Sequence, residues 1–491
     1  MKTILVRIFC LLLCGLLLLC PLIACDNDGN GNSSGNTNNG NNNNTQTQNP
    51  DGKPTAQSVL HSFRQDHFGG NEFLIAAASS YENRFVIDQF PTSEEITEDM
   101  VQNELFKRDS MIEEYFGITL VYDDVLDSQM YEHISGGISA GDDEYSLVLA
   151  SLAKTAQIMF NNDLLRNMYD FADIDLTASC WNKQSVDNFE IGGNIYMATG
   201  AITNRYVYAP YAMLFNSRLI VDLGLESPYT LVDENDWTLE VFAMMIEDTY
   251  VDDGNEEVGL EDFYGLAPAS DSETAYYFAC GGQLVAKNGN TLIPVYEEEE
   301  NYDLLQTIID MYRTDDVLKF KSVYDSNVTF NDGRAIFHST ALCDITMLSE
   351  MKDNYGIVPM PKYSADQENY VSNANRSIST MAVLPRTVQE PESVGLIVQA
   401  LAAVSEYTSL DKQYDTVLLS RQALDAQSKR NLQLVVESVS YDWGYAYDIG
   451  RLKTVVADAI LQGSTGVADS YASIRDVVEN GIAELLAKFA N

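Results

Sequence analysis

The chain has 491 residues, 45% of them apolar, enough to bury more than one hydrophobic core. Lys and Arg total 29 against 73 Asp and Glu, a formal net charge of −44. Such a field argues against nucleic acid and anionic membrane surfaces as partners, and no Lys/Arg-rich run makes a local basic patch for a polyanionic substrate.

Lys2 and Arg7 flank the start of an apolar run over 8–19, the pattern of an export signal. The run leads to Leu22-Ile23-Ala24-Cys25, small residues before a cysteine, which looks like a bacterial lipobox. Residues 1–24 are then a lipoprotein signal peptide, and Cys25 carries the lipid after cleavage. A plain signal peptide or a spanning helix is the alternative reading, though the stretch is short for a span. With no second apolar span, the chain is expected to be anchored to a membrane and not to cross it. Residues 25–58 add Asn, Gly, Ser, Thr and Gln with little to bury, a disordered tether. Asp26, Asp28, Asn30 and Gly31 imitate the start of a calcium loop, but its twelfth position is Thr37 where Glu is needed. Of seven cysteines, Cys10, Cys14 and Cys20 leave with the signal and Cys25 is the lipid site. Cys180, Cys280 and Cys343 remain, too few and too widely spaced for a disulfide framework or a zinc site. They read as buried thiols, with one disulfide and a spare as the alternative.

Phe73-Leu-Ile-Ala-Ala-Ala78 is a buried strand by its continuous apolar run. Residues 93–116 read as a helix, with Val101, Leu105, Ile112 and Phe116 near helical spacing and Gly117 to end it. Ile118-Thr-Leu-Val-Tyr122 is a second strand, 128–139 a short helix interrupted by Gly136-Gly137, and Tyr145-Ser-Leu-Val-Leu-Ala150 a third strand. Strand, helix, strand, helix, strand implies a parallel sheet with right-handed crossovers. Ligands of such open sheets sit outside the carboxyl ends of the strands, here the loops at 79–81, 123–124 and 151–152. Gly192-Gly-Asn-Ile-Tyr-Met197 reads as a turn and a strand, and 206–216 as an extended apolar run passing Pro210. Thr238 is a good N-cap for a helix carrying Leu239, Phe242 and Ile246. Tyr302, Leu305, Ile309 and Tyr312 mark a further amphipathic helix, and Glu297 to Glu300 a solvated face. Tyr355-Gly-Ile-Val-Pro-Met-Pro-Lys-Tyr363 is a strand with an enforced exit, because Pro359 and Pro361 offer no N–H. It reads as a stiff joint where two compact bodies meet. Helices follow at 392–403 and 418–437, then one through Leu452, Val455, Val456, Ala459 and Ile460, and a last one from Ile474 to Phe489.

Phe330-Asn-Asp-Gly-Arg-Ala-Ile-Phe337, the 355–363 stretch and Ser377-Ile-Ser-Thr-Met-Ala-Val-Leu-Pro385 stand in the order of motifs found in family 1 extracellular solute-binding proteins, which the chain resembles. Trp237-Thr238 before a helix and Tyr264-Gly-Leu match the same pattern, while Tyr145-Ser-Leu-Val departs at one position from the family's Tyr-Asp-Leu-Val. The likeness runs from about Phe73 to the C-terminus and is sharpest between 205 and 385. It implies an α/β, two-lobed periplasmic-binding-protein-like fold of type II, each lobe a mostly parallel sheet flanked by helices. Hinge crossovers are then expected at 206–216 and 355–363. Lobe I would be 59–208 with 356–410, and lobe II 209–355 with 411–491.

Sugar recognition needs flat apolar faces and planar polar groups, because an unpaired buried hydroxyl costs about 1–3 kcal/mol. Trp443, in a Gly-containing aromatic loop before a helix, stands where the family often stacks an aromatic on the ligand; a core position is its alternative. Trp181, beside Asn182, and Tyr81, just after the first strand, are further candidates. Trp237 fits packing against its own helix better. Tyr206 and Tyr208 enter the first crossover, where they could face a cleft. Asn375 and Arg376 precede the 377–384 strand, where a guanidinium could fork onto two hydroxyls or form a loop salt bridge. Asp344 is an acceptor candidate.

Catalysis finds little support. The four histidines, His61, His67, His133 and His338, make no metal-binding spacing, and neither a Gly-x-Ser-x-Gly elbow nor a phosphate-binding Gly-rich loop is present. Carboxylates are too numerous for one glycosidase pair to stand out. The expectation is a monomeric extracytoplasmic lipoprotein that captures a mono- or oligosaccharide between lobes and delivers it to ABC permease subunits. No metal, no cofactor and no nucleic acid partner is expected. The alternatives are a surface lipoprotein enzyme acting on glycans and a solute receptor feeding a signalling kinase.

Overall fold

The computed structural model describes residues 52–490 apart from 79, 82–84, 87–88, 94–95, 143, 162–163, 256–257, 320–322, 349, 420–425 and 465. The signal segment, Cys25 and nearly all of the tether lie outside the described residues.

Two four-stranded sheets carry the fold. The first has Thr380–Val383, Leu147–Ser151, Asn71–Ala77 and Ile118–Asp124 side by side. Ile75 pairs with Leu147 on one side and Tyr122 on the other, both in parallel register. The parallel order follows from the helices Met100–Phe116 and Met130–Ala140, which return the chain across a sheet face. The first of these begins later than the apolar spacing suggested. Asp99 sets its start by accepting from the Val101 and Gln102 amides, and Gly117 ends it at φ 61°, a conformation a side chain would strain. Side-chain alternation then sorts the strand Asn71–Ala77 between two cores. Phe73, Ile75 and Ala77 pack with Leu396, Ile397 and Leu401 of the helix Pro391–Glu406, while Ala76 turns to the other cluster.

The second sheet orders Tyr355–Val358, Tyr211–Asn216, Ala335–Ala341 and Tyr264–Leu266. Tyr211–Asn216 runs antiparallel to both neighbours, and Ala335–Ala341 is parallel to Tyr264–Leu266. Every residue of these four strands is buried, so both faces are covered. Gly356 sits directly against Phe215: a Cβ there would lie 2.1 Å from the Phe215 ring and 2.8 Å from the Tyr229 hydroxyl. That close approach accounts for the glycine of the Tyr-Gly-Ile-Val motif.

The stretch at 355–363 is not the passage between sheets. Gly356 pairs with Phe215, making it an edge strand of the second sheet, and two prolines suit an edge exit as well as a joint. The Pro359 carbonyl accepts from the Trp237 indole at 2.8 Å, pinning that exit to its own sheet. The chain passes to the first sheet only beyond 372. There Pro210 and Ala374 form a bridge, and the Asn375 amide donates to Ala209 O at 2.8 Å. The outgoing and returning segments therefore run beside each other at 209–210 and 374–375. Gly192 and Gly193 make the expected turn, but the segment after it forms isolated bridges, Asn194 with Ile191, Ala198 with Ala382 and Gly200 with Trp181, and no regular strand. The three late cysteines are buried and unpaired. Among the described residues no single helix is long and apolar enough to cross a membrane.

Candidate functional site

The returning segment carries a two-residue strand, Ser372–Asn373, laid parallel to Val439–Ser440. This pairing brings the Tyr441-Asp442-Trp443 turn to the crossing. Asp442 builds the turn. One carboxylate oxygen accepts from the Tyr445 amide at 2.9 Å, which caps the short helix Trp443–Tyr447. The other accepts from the Leu284 and Val285 amides at 2.9 and 3.1 Å, which fixes the turn to the hairpin Val285–Asn288 and Thr291–Pro294. Burial pushes the Asp442 carboxyl up to about 6 while those amides pull it down.

Trp443 is 1% exposed. Its indole N–H donates to Asn188 O at 3.0 Å, its ring stacks on Tyr447 at 5.2 Å, and the Phe189 and Phe489 rings meet it edge-on. Lys287 makes a second tie to the same helix end, donating to Asp187 O at 2.6 Å and lying 3.5 Å from the Glu190 carboxylate. These two ties join the hairpin and the 440–447 turn to the helix Lys183–Phe189. Between them lies a cavity of about 120 Å³. Phe278, Tyr441 and Trp443 give it ring surfaces, and Asn188, Asn373 and Asp442 give it polar ones. Asn373 is 2% exposed, and its Nδ2 has no hydrogen-bond partner among the described residues. Rings beside a few convergent polar groups suit a small hydroxylated solute.

A larger groove of about 580 Å³ lies between the helices Leu239–Ile246 and Glu299–Tyr312. Some of its polar groups are already engaged within the chain, while Glu240 and Glu247 put carboxylates on its rim. Asp316 accepts from the Thr249 and Tyr250 amides, and Thr307 and Thr314 donate to carbonyls of their own chain segment. Size alone does not make it the better site.

The residues singled out from sequence distribute as follows. Trp443 lines the cavity. Asn375 and Arg376 lie at the crossing: Asn375 Nδ2 donates to the Tyr211 hydroxyl at 2.8 Å, and Arg376 Nη1 is 3.5 Å from Asp448. Around them Lys453 pairs with Asp271 at 2.9 Å, and Glu273, 2% exposed, has its carboxyl pushed up to about 7, mainly by burial. Asp344 accepts from Thr340 Oγ1 at 2.5 Å, with burial raising its carboxyl to about 6. Trp181 is 3% exposed in the core under the helix Pro391–Glu406, donating to Gln399 Oε1 at 3.0 Å. The Tyr206 hydroxyl accepts from Asn182 at 3.1 Å, and Tyr208 is buried, with its phenol raised by burial and by Asp99. Tyr81 belongs to a two-residue strand paired with Phe85–Val86. Asn373, Phe278 and Asn188 were not anticipated. Asn373 lies two residues from Asn375 and Asp442 next to Trp443, so proximity in sequence was a usable signal for those two; for Phe278 and Asn188 there was none.

No family model matches the sequence, and no curated protein matches it. Solved structures match the fold. A cyclo/maltodextrin-binding protein complexed with maltotetraose superposes with a TM-score of 0.56 at 12% identity, covering 85% of this chain and 97% of that one. An ABC substrate-binding protein from Listeria monocytogenes in complex with cycloalternan gives 0.52 at 12% identity, over 86% and 99%. The M. tuberculosis protein UspC gives 0.54 at 12% identity, over 85% and 100%. The likeness is one of fold, a two-lobed α/β architecture spanning nearly the whole described chain.

Proposed function

We propose that this chain, folded as the two-lobed solute-binding proteins are, captures an uncharged carbohydrate in the cavity beside the crossing and delivers it to an ABC importer. It works outside the cytoplasm, held to the membrane by lipid on Cys25, and carries out no reaction. The observation that carries the reading is the cavity: Phe278, Tyr441 and Trp443 line it beside the polar residues Asn188 and Asn373, at the place where the chain passes between sheets. Two of the solved structures with this fold hold maltotetraose and cycloalternan, which supports a sugar as the class of ligand.

The lobes divide, in this proposal, at 209–210 and 374–375, where both passages run side by side and can bend together. A solute touching Asn188 on one side and the 278–287 segment on the other stabilises the closed arrangement over the open one, because only the closed one offers both sets of contacts. Calorimetry against a panel of neutral sugars, with chromatography of the same samples, tests this. Heat of binding with the sugar recovered intact is the expected result. Cleaved sugar, or no heat with any of them, would overturn it.

A further inference from the structure

We propose that the groove between the helices Leu239–Ile246 and Glu299–Tyr312 docks a basic amphipathic helix of another protein. The groove is separate from the cavity at the crossing, and the proposal does not depend on the sugar reading.

The lining supplies the apolar part of the contact. Leu239, Ala243, Met244, Ile246, Met311 and Tyr363 face the groove. Met244 and Tyr363 are 59% and 46% exposed, so the chain does not cover this surface itself. Methionine adapts its shape to an apolar partner, and a channel between two helices is a common seat for a third.

Charge then selects the partner. Glu240 and Glu247 line the same groove with Ala243 and Met244 between them, about 10 Å apart along the helix axis. Neither carboxylate has an ion-pair partner among the described residues, and no lysine or arginine there lines the groove. Glu247 caps the C-terminus of its helix, where backbone carbonyls already favour a cation, and the last turn holds no basic residue. The facing helix differs, because Lys319 donates to Tyr312 O at its end. The groove is thus apolar along its floor and uncompensated in charge at its rim.

Other occupants lack the complement. A second copy would bring the same two carboxylates and a net charge of −44. Residues 26–51 contain no lysine or arginine. An anionic bilayer is repelled as a second copy is. A helix with lysine or arginine at the Glu240–Glu247 spacing and apolar residues between them matches both features on one face.

The test is titration calorimetry of the mature chain against two synthetic peptides of about 18 residues, long enough to hold a helix. One carries leucines on one face, flanked by lysines at the Glu240–Glu247 spacing. The other has the same composition in scrambled order. The striped peptide should bind at least about tenfold more tightly than the scrambled one, and more weakly as salt rises. Met244→Asp should weaken its binding by about tenfold or more. Glu240→Gln with Glu247→Gln should weaken it by about threefold to tenfold and make the salt dependence shallower. All three side chains are exposed, so both variants should melt as the unaltered chain does. Equal affinity for the two peptides, or no binding of the striped one, would overturn the proposal. Unchanged affinity in either variant would overturn it too. A dimer of the chain alone in sedimentation, dispersed by Met244→Asp, would give the groove to a second copy instead. If Met244→Asp fails to fold, the peptide comparison and the glutamine variant still decide.

Discussion

Trp443→Ala and Trp181→Ala are expected to destabilise the fold by similar amounts, about 3–5 kcal/mol each, while only Trp443→Ala abolishes tight sugar binding. Both indoles are almost fully buried, at 1% and 3% exposure, and both donate a hydrogen bond at 3.0 Å, to Asn188 O and to Gln399 Oε1. Their surroundings differ. Trp181 packs in the core beneath the helix Pro391–Glu406 and has no part in the cavity. Trp443 is a wall of the cavity and one of its two ties to the helix Lys183–Phe189. Denaturant midpoints report the packing cost, and calorimetry below those midpoints reports binding. Trp443→Ala should lose more than about tenfold in affinity, and Trp181→Ala less than about twofold. Equal losses of affinity would mean that stability, not contact, limits binding, and would remove Trp443 from the site.

The second large effect is one of pH. The melting temperature is expected to be higher near pH 5.5 than near pH 8. Glu273 and Asp344 have carboxyls raised to about 7 and about 6, chiefly by burial, and Asp442 is raised to about 6 in the same way. Between roughly pH 4 and 7 the folded chain therefore binds protons at these groups that the unfolded chain has already released, and stability falls as pH rises through that window. His338 opposes them. It is fully buried between Ala267 O and Asn327 Oδ1, and burial lowers it to about 4, so the unfolded chain takes up its proton from about 6.5 downward. Glu273 dominates because its window reaches the highest pH. It faces Asp271 on its own loop, Lys453 on the helix Leu452–Gln462, and Tyr211 and Tyr312 from the second sheet and a neighbouring helix. A tenfold change in proton affinity between the folded and unfolded chain is worth about 1.4 kcal/mol, and the balance of these groups is about 1–2 kcal/mol in favour of pH 5.5. Relief of self-repulsion in a chain of net charge −44 acts in the same direction. Glu273→Gln separates the two. It should stabilise the protein at pH 8 and flatten the profile; a profile unchanged by Glu273→Gln would assign the effect to net charge.

Much of the fold was legible because its signals are local. The strand at 71–77 carries the continuous apolar run 73–78, and Gly117 and Thr238 mark helix ends by their own chemistry, whereas Asp99 was missed because the apolar spacing put that helix start at 93. The passage between sheets was harder to place. Prolines at 359 and 361 announce that a strand ends but not whether the next residues cross to another sheet, which depends on Gly356 pairing with Phe215. The site was legible only where one residue carried it. Trp443 stood out as a rare aromatic in a polar turn. Asn373 did not, because its setting comes from a strand pair with Val439–Ser440, far along the chain. Trp181 looked as suitable as Trp443 in sequence, and what separates them is the Gln399 side chain waiting for its indole in the core.

Hydrogen–deuterium exchange with and without the best-binding sugar tests the cavity most directly. Exchange should slow only in the backbone around 183–189, 281–287, 371–376 and 440–447, the segments that meet at the crossing. Protection that instead falls on 239–247 and 307–316, around the larger groove, would contradict a sugar site at the crossing.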